Sequence, residues 1–155
     1  MEQSLYRPNV AAIILSAQYP SMREFFLAER IDIQGAWQFP QGGIDEGEEP
    51  ADALMRELEE EIGTNDVQIL AQYPEWLHCD FPQEVQTQMY PFKGQRQRYF
   101  LVRLNVGAII NLKTASPEFV RYEFVRYEEI FRRVTHFKRE VYAKVLSYFK
   151  DGGFL

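Results

Sequence analysis

The chain has 155 residues, 46% hydrophobic and 15% aromatic, which excludes an intrinsically disordered segment and allows a packed core. No apolar run reaches the roughly 18 residues of a membrane span, the start "MEQSLYRPNV" lacks a signal-peptide pattern, and one cysteine (Cys79) rules out an internal disulfide, so a cytoplasmic protein is expected. The net charge of −6 conceals an asymmetry: residues 1–92 carry 4 Lys/Arg and 17 Asp/Glu, whereas residues 93–155 carry 13 and 6, a pairing suited to cations on one side and phosphates on the other.

In chain order, "NVAAIIL" (Asn9–Leu15) has the Val/Ile-rich pattern of a buried strand, and "EFFLAER" (Glu24–Arg30) reads as its partner. In "AWQFPQGG", Trp37 and Phe39 alternate with polar neighbours before Pro40 and two glycines that should break the strand. Both rings are expected in the core under the following helix, which is predicted from Pro50 to Ile62. Proline suits its first turn, Gly63 suits the position just past its end, and Leu54, Leu58 and Ile62 form the apolar stripe. "VQILAQY" (Val67–Tyr73), "RQRYFLVRL" (Arg96–Leu104) and "RYEFVRY" (Arg121–Tyr127) read as strands. A short helix over Glu128–Val134 and a longer one over Lys138–Phe149 follow, with "DGGFL" as a loose tail. The order β-β-β-α-β-β-β-α predicts a mixed sheet with helices against it.

The predicted helix carries Glu57, Glu59, Glu60 and Glu61 within five positions. Glu57 and Glu61 stand one turn apart, where like charges cost an isolated helix roughly 0.2–0.5 kcal/mol. Carboxylates gathered beside a glycine turn suit hard cations such as Mg²⁺ or Mn²⁺, which would offset that repulsion and bridge to substrate phosphates. A calcium loop beginning at Asp45 does not fit, because its sixth position is Pro50 and its twelfth is Arg56.

From Gly42 the chain runs Gly, five residues, Glu48, seven residues, Arg56-Glu57-Leu58, one residue, Glu60-Glu61, one residue and Gly63. This spacing resembles the signature of the Nudix hydrolases; only Thr64 departs from it, standing at an aliphatic position. The resemblance implies an α/β/α sandwich with a mixed β-sheet, one Nudix domain over 1–155 with its core at about 6–149. It implies a hydrolase of nucleoside diphosphates linked to another group. By position, Glu57, Glu60 and Glu61 correspond to the metal ligands, with the Gly42 carbonyl a possible fourth. Arg56 corresponds to the residue that orients them, with Glu48 as its ion-pair partner. The general base varies within the family; Glu57 is preferred here.

The flanks "YRPNVAAIIL", "WQFPQGGID", "GQRQRYFLV", "SPEF" and "FKREVY" resemble the bacterial subgroup of RNA pyrophosphohydrolases, also described as dinucleoside polyphosphate hydrolases. That resemblance runs from about Tyr6 to Phe149. It implies a further metal ligand at Glu118, with two or more Mg²⁺ or Mn²⁺ ions per site. Arg7, Gln95, Arg96 and Arg98 are expected to contact phosphates, Phe137 and Arg30 to sandwich a nucleobase, and Lys138 with Arg139 to attract backbone phosphates. The expected substrates are 5′-triphosphate or diphosphate RNA, or dinucleoside polyphosphates, for a monomer with no DNA or membrane partner. A non-catalytic nucleotide-binding domain is the remote alternative. His78, His136 and Cys79 receive no catalytic role.

Overall fold

The computed structural model describes residues 5–134 and 136–155, the side chains of residues 136 and 137 apart. Its spine is one long strand, β1 (Tyr6–Leu15), whose residues from Asn9 onward are all buried, as the apolar run Val10–Leu15 requires of a strand covered on both faces. On one side β1 pairs in parallel with β7 (Gly94–Leu104) along its whole length, from Tyr6 opposite Gly94 to Leu15 opposite Arg103. On the other side its partners change. Leu15 meets Phe25 of β2 (Phe25–Arg30), while Asn9–Ala11 meet β4 (Gln41–Gly43). The sheet extends through β3 (Trp37–Gln38) and β8 (Phe119–Val125) on β2, and through β5 (Val67–Gln72) and β6 (Leu77–Asp80) on β7.

The period-2 alternation of β1 and β7 divides the core into two layers. Val10, Ala12, Ile14, Phe100 and Val102 face helix α1 (Pro50–Ile62) and its Leu54, Leu58 and Ile62. Ala11, Ile13, Leu15, Tyr99 and Leu101 face α4 (His136–Asp151), joined by Ile130 of α3 (Tyr127–Arg133). A mixed sheet with helices on both faces is the α/β/α sandwich expected.

The predicted α1 has the observed bounds. Gly63 ends it at φ 78°, donating its N–H to the Glu59 carbonyl at 3.2 Å, and a Cβ there would come within 2.5 Å of the Asn111 carbonyl. Several expectations need correction. The two glycines after Pro40 do not terminate strand structure, because Gly42 and Gly43 pair with Val10 and Asn9 as β4. Trp37 and Phe39 belong to the α4 layer, on the opposite face from α1, where Phe39 packs on Tyr142 at 4.6 Å. Strand β6 and the short helix α2 (Gln83–Gln88) have no counterpart in the sequence reading. The end of the chain does not trail: Phe154 and Leu155 pack on the α4 layer, and Tyr19 donates to the Phe154 carbonyl at 2.7 Å.

Candidate active site

Where β1 leaves β2 and takes up β4, the sheet opens a cavity of about 660 Å³. Its floor comes from α1, as Glu57, Glu60 and Glu61, together with Glu118 from the loop before β8. One wall is the polar end of β1, β4 and β7, namely Arg7, Asn9, Gln41, Gln95 and Gln97. Another is Lys138 of α4, and a third is apolar, with Phe81, Val85 and Met89 on and around α2. Carboxylates and cations thus meet in one cleft, with Arg7, Arg30 and Lys138 facing Glu57, Glu60, Glu61 and Glu118.

Arg56 organises the acidic side. Its Nε and Nη2 donate to both oxygens of Glu48 at 3.0 and 2.9 Å, its Nη2 also donates to the Gly43 carbonyl at 2.9 Å, and its Nη1 donates to Glu57 Oε1 at 2.8 Å. Glu60 is held more loosely, at 3.3 Å. The fork geometry explains the choice of arginine, since a lysine could not bridge four acceptors on three backbone segments. The Arg56 hydrogen bonds, with the Asp45 N–H, hold the Glu48 carboxyl down to about 2. Gly42 is required by Glu57, because a Cβ at that position would stand 2.0 Å from the Glu57 carboxyl carbon.

Glu61 differs from its neighbours. It is buried (6% exposed), and its Oε2 has no hydrogen-bond partner. Desolvation first, then the charges of Glu57 and Glu118, push its carboxyl up to about 9, only partly offset by the Gln41 main-chain N–H that it accepts. Burial likewise raises Glu57, with Arg56 opposing. An orphaned, buried carboxylate oxygen repelled by further carboxylates fits a divalent cation, which would supply the missing partner and relieve the repulsion. Among the described residues, no three such side chains are drawn together into a ready-made cation cage. Glu59 is exposed, as its place on the helix requires.

The remaining expected residues divide. Arg7 lines the cavity over Gly43, and Gln95 lines it beside Gln41. Arg30 lines it as well, its guanidinium braced by both oxygens of Asp32 at 2.8 and 2.6 Å. Lys138 projects into the cavity with its ammonium donating to Gln38 and Gln41, each at 3.1 Å, and burial lowers it to about 8. The side chain of Phe137 lies outside the described residues. Arg139 is exposed and its guanidinium reaches back to the Val134 carbonyl.

Arg96 and Arg98 contradict the expectation of phosphate contacts in this cavity. Alternation along β7 turns Gln95 and Gln97 into the cleft and sends both arginines to the other face. There they stack on Trp76 at 4.4 and 4.7 Å from the ring centre, and Arg98 also donates to the Pro74 carbonyl at 2.9 Å. Asn9, Gln41, Gln97 and Tyr99 line the cleft without having been expected there, and Cys79, expected to have no catalytic role, lines it as well. Period-2 spacing from Gln95 was the available signal for Gln97 and Tyr99.

The chain belongs to the NUDIX family, whose domain model matches residues 5–145. It is 56% identical to the RNA pyrophosphohydrolase of a Nitratiruptor species, over 99% of both chains, and 60% identical to that of a Sulfurovum species, over 95% of both. The fold is similar to that of a C. elegans Ap4A hydrolase in a binary complex, with a TM-score of 0.71, 21% identity, and coverage of 94% of this chain and 98% of that one. Nudix hydrolases generally use divalent metal ions.

Proposed function

We propose that this protein is a Nudix pyrophosphohydrolase that cleaves the 5′-triphosphate end of RNA to a 5′-monophosphate, opening the way to RNA decay in the cytoplasm. The observation that carries the reading is a single cavity joining the α1 carboxylates to Arg7 and Lys138. The names of relatives aligned over nearly the whole chain support RNA as the substrate.

Glu57, Glu60, Glu61, Glu118 and the Gly42 carbonyl would hold two or more Mg²⁺ or Mn²⁺ ions, which, when bound, polarise phosphoryl oxygens and acidify water. Arg56, fixed by Glu48, keeps Glu57 Oε1 engaged and leaves Oε2 over Gly42 to accept a proton from the attacking water. That water forms a new P–O bond as a phosphoanhydride bond breaks, and the 5′-monophosphate is left by release of pyrophosphate in one step or of phosphate in each of two successive steps. Arg7 and Lys138 offset the negative charge of the bound phosphates. Arg30, locked by Asp32, presents a flat cation against which any base can stack.

Purified protein with Mg²⁺ is expected to release pyrophosphate or phosphate from 5′-triphosphorylated RNA, with a higher kcat/KM than on a dinucleoside tetraphosphate measured alongside. No release from RNA, with rapid cleavage of the tetraphosphate, would overturn the reading.

A further inference from the structure

Glu29 is a buried carboxylate that the chemistry of the cleft does not use. It lies on β2 between Trp37 of β3 and Arg121 of β8, at 5% exposure. Its Oε2 accepts the Gly35 main-chain N–H and its Oε1 accepts from Arg121 Nε, each at 2.6 Å. The Gly35 N–H first, and Arg121 after it, hold the carboxyl below its usual range against the effect of burial. A buried ion pair is weak evidence for stability, since an apolar residue of similar volume often serves the fold as well. What Glu29 grips is the turn over residues 31–35, every one of them exposed, so apolar packing does not fix that turn. Main-chain bonds close its ends: the Arg30 N–H donates to the Ala36 carbonyl and the Ile31 N–H to the Glu118 carbonyl, each at 2.9 Å. Gly35 takes a left-handed φ of 81° where Glu29 holds the chain. Within the turn, Ile33 lines the cleft and Asp32 braces the Arg30 guanidinium.

We propose that Glu29 is a positioning residue that sets the tilt of this turn and so, through Asp32 and Ile33, the plane that Arg30 presents to a nucleobase. Loss of its acceptor leaves both main-chain closures in place, including the one to Glu118. The turn then tilts without coming undone, and the effect falls on base binding rather than on the chemical step. The proposal rests on the reading of the cavity as a nucleotide site and adds the residue that orients its base-binding wall.

The test is steady-state hydrolysis of triphosphorylated RNA, with inorganic tripolyphosphate as a competing inhibitor that has the phosphates but no base. Glu29→Met keeps the length of the side chain and removes both acceptors. It is expected to raise KM for RNA by about fivefold, part of what one stacked base contributes. Its kcat and its tripolyphosphate inhibition constant should stay within about twofold of the parent. Glu29→Gln can still accept from Gly35 once the exposed Arg121 swings aside, and should bring KM back to within about twofold. Arg30→Met should raise KM by about tenfold, and adding Glu29→Met to it should change KM by less than about twofold. Glu29→Asp is too short to hold Gly35 and Arg121 together, and its charge keeps it with Arg121. It should repeat the KM effect, and it carries the test if Glu29→Met melts below the assay temperature. A parental KM in the test variant, an inhibition constant that moves with KM, KM effects that multiply in the double variant, or a loss confined to kcat would overturn the proposal. Failure of the parent protein to cleave RNA would instead overturn the substrate reading.

Discussion

At the scale of single residues, the site is explained by what each carboxylate lacks. Glu48 has both oxygens engaged and Glu57 has one, whereas Glu61 has a buried oxygen with nothing to bind. Removing a cation ligand and removing its organiser should therefore look different. Glu61→Gln takes away the charge but keeps the shape, so turnover is expected to fall by roughly two or more orders of magnitude while the melting temperature of the chelator-treated protein stays the same or rises. Arg56→Lys keeps the charge and loses the fork between Glu48 and Glu57, so kcat should fall by about 10–100-fold with KM for RNA nearly unchanged. Steady-state kinetics on both variants check this. A Glu61→Gln enzyme with parental kcat would remove Glu61 from the site.

At the scale of elements, two glycines govern the helix that carries these residues. A Cβ on Gly42 must displace the Glu57 carboxyl, which it would otherwise meet at 2.0 Å. Gly42→Ala is therefore expected to lower kcat by about 10²-fold with a nearly unchanged melting curve, because a displaced catalytic group matters more to rate than to folding. Gly63→Ala faces both a left-handed φ and the Asn111 carbonyl at 2.5 Å. It should destabilise the fold by about 1–3 kcal/mol in urea titration. Helix α1 was legible in the sequence because local rules set both its ends: Pro50 at the start and Gly63 at the stop. Its spacing also named the carboxylates. The pairing of Gly42 and Gly43 as β4 was not legible, since it depends on β1 being free of β2 along that stretch. The faces of β7 were legible only in part. Alternation groups Arg96 with Arg98, but which face meets the cleft is decided by the helix packed against it, and so these arginines were misplaced. Trp37 and Phe39 failed for the same reason, as a correct burial assigned to the wrong layer. Helix α2 has no buried position to give a periodic signal, and the alternation of β6 runs over only four residues.

At the scale of the whole molecule, the site should set how stability responds to pH. Glu61 rises from an ordinary carboxyl near 4.5 to about 9 in the native state. Between those values the native chain keeps a proton that the unfolded chain releases, so unfolding gains as pH rises, by up to about 1.4 kcal/mol per pH unit. The raised Glu57 acts in the same direction. Lys138, lowered to about 8, acts oppositely but only above that value, where the unfolded chain holds the extra proton. Glu48, held near 2, contributes stability that disappears only as pH falls below the ordinary carboxyl range. The metal-free protein should thus be most stable near about pH 5, and its melting temperature should fall steadily towards about pH 7.5. Mg²⁺ competes with the proton on Glu61, so its affinity should increase across the same window, and millimolar Mg²⁺ should raise the melting temperature far more at about pH 7.5 than at about pH 5. Differential scanning calorimetry of chelator-treated and Mg²⁺-loaded protein would show two curves that diverge with pH, and Glu61→Gln should bring them together. Parallel curves in the parent protein would mean that the floor of the cavity does not exchange a proton for a cation.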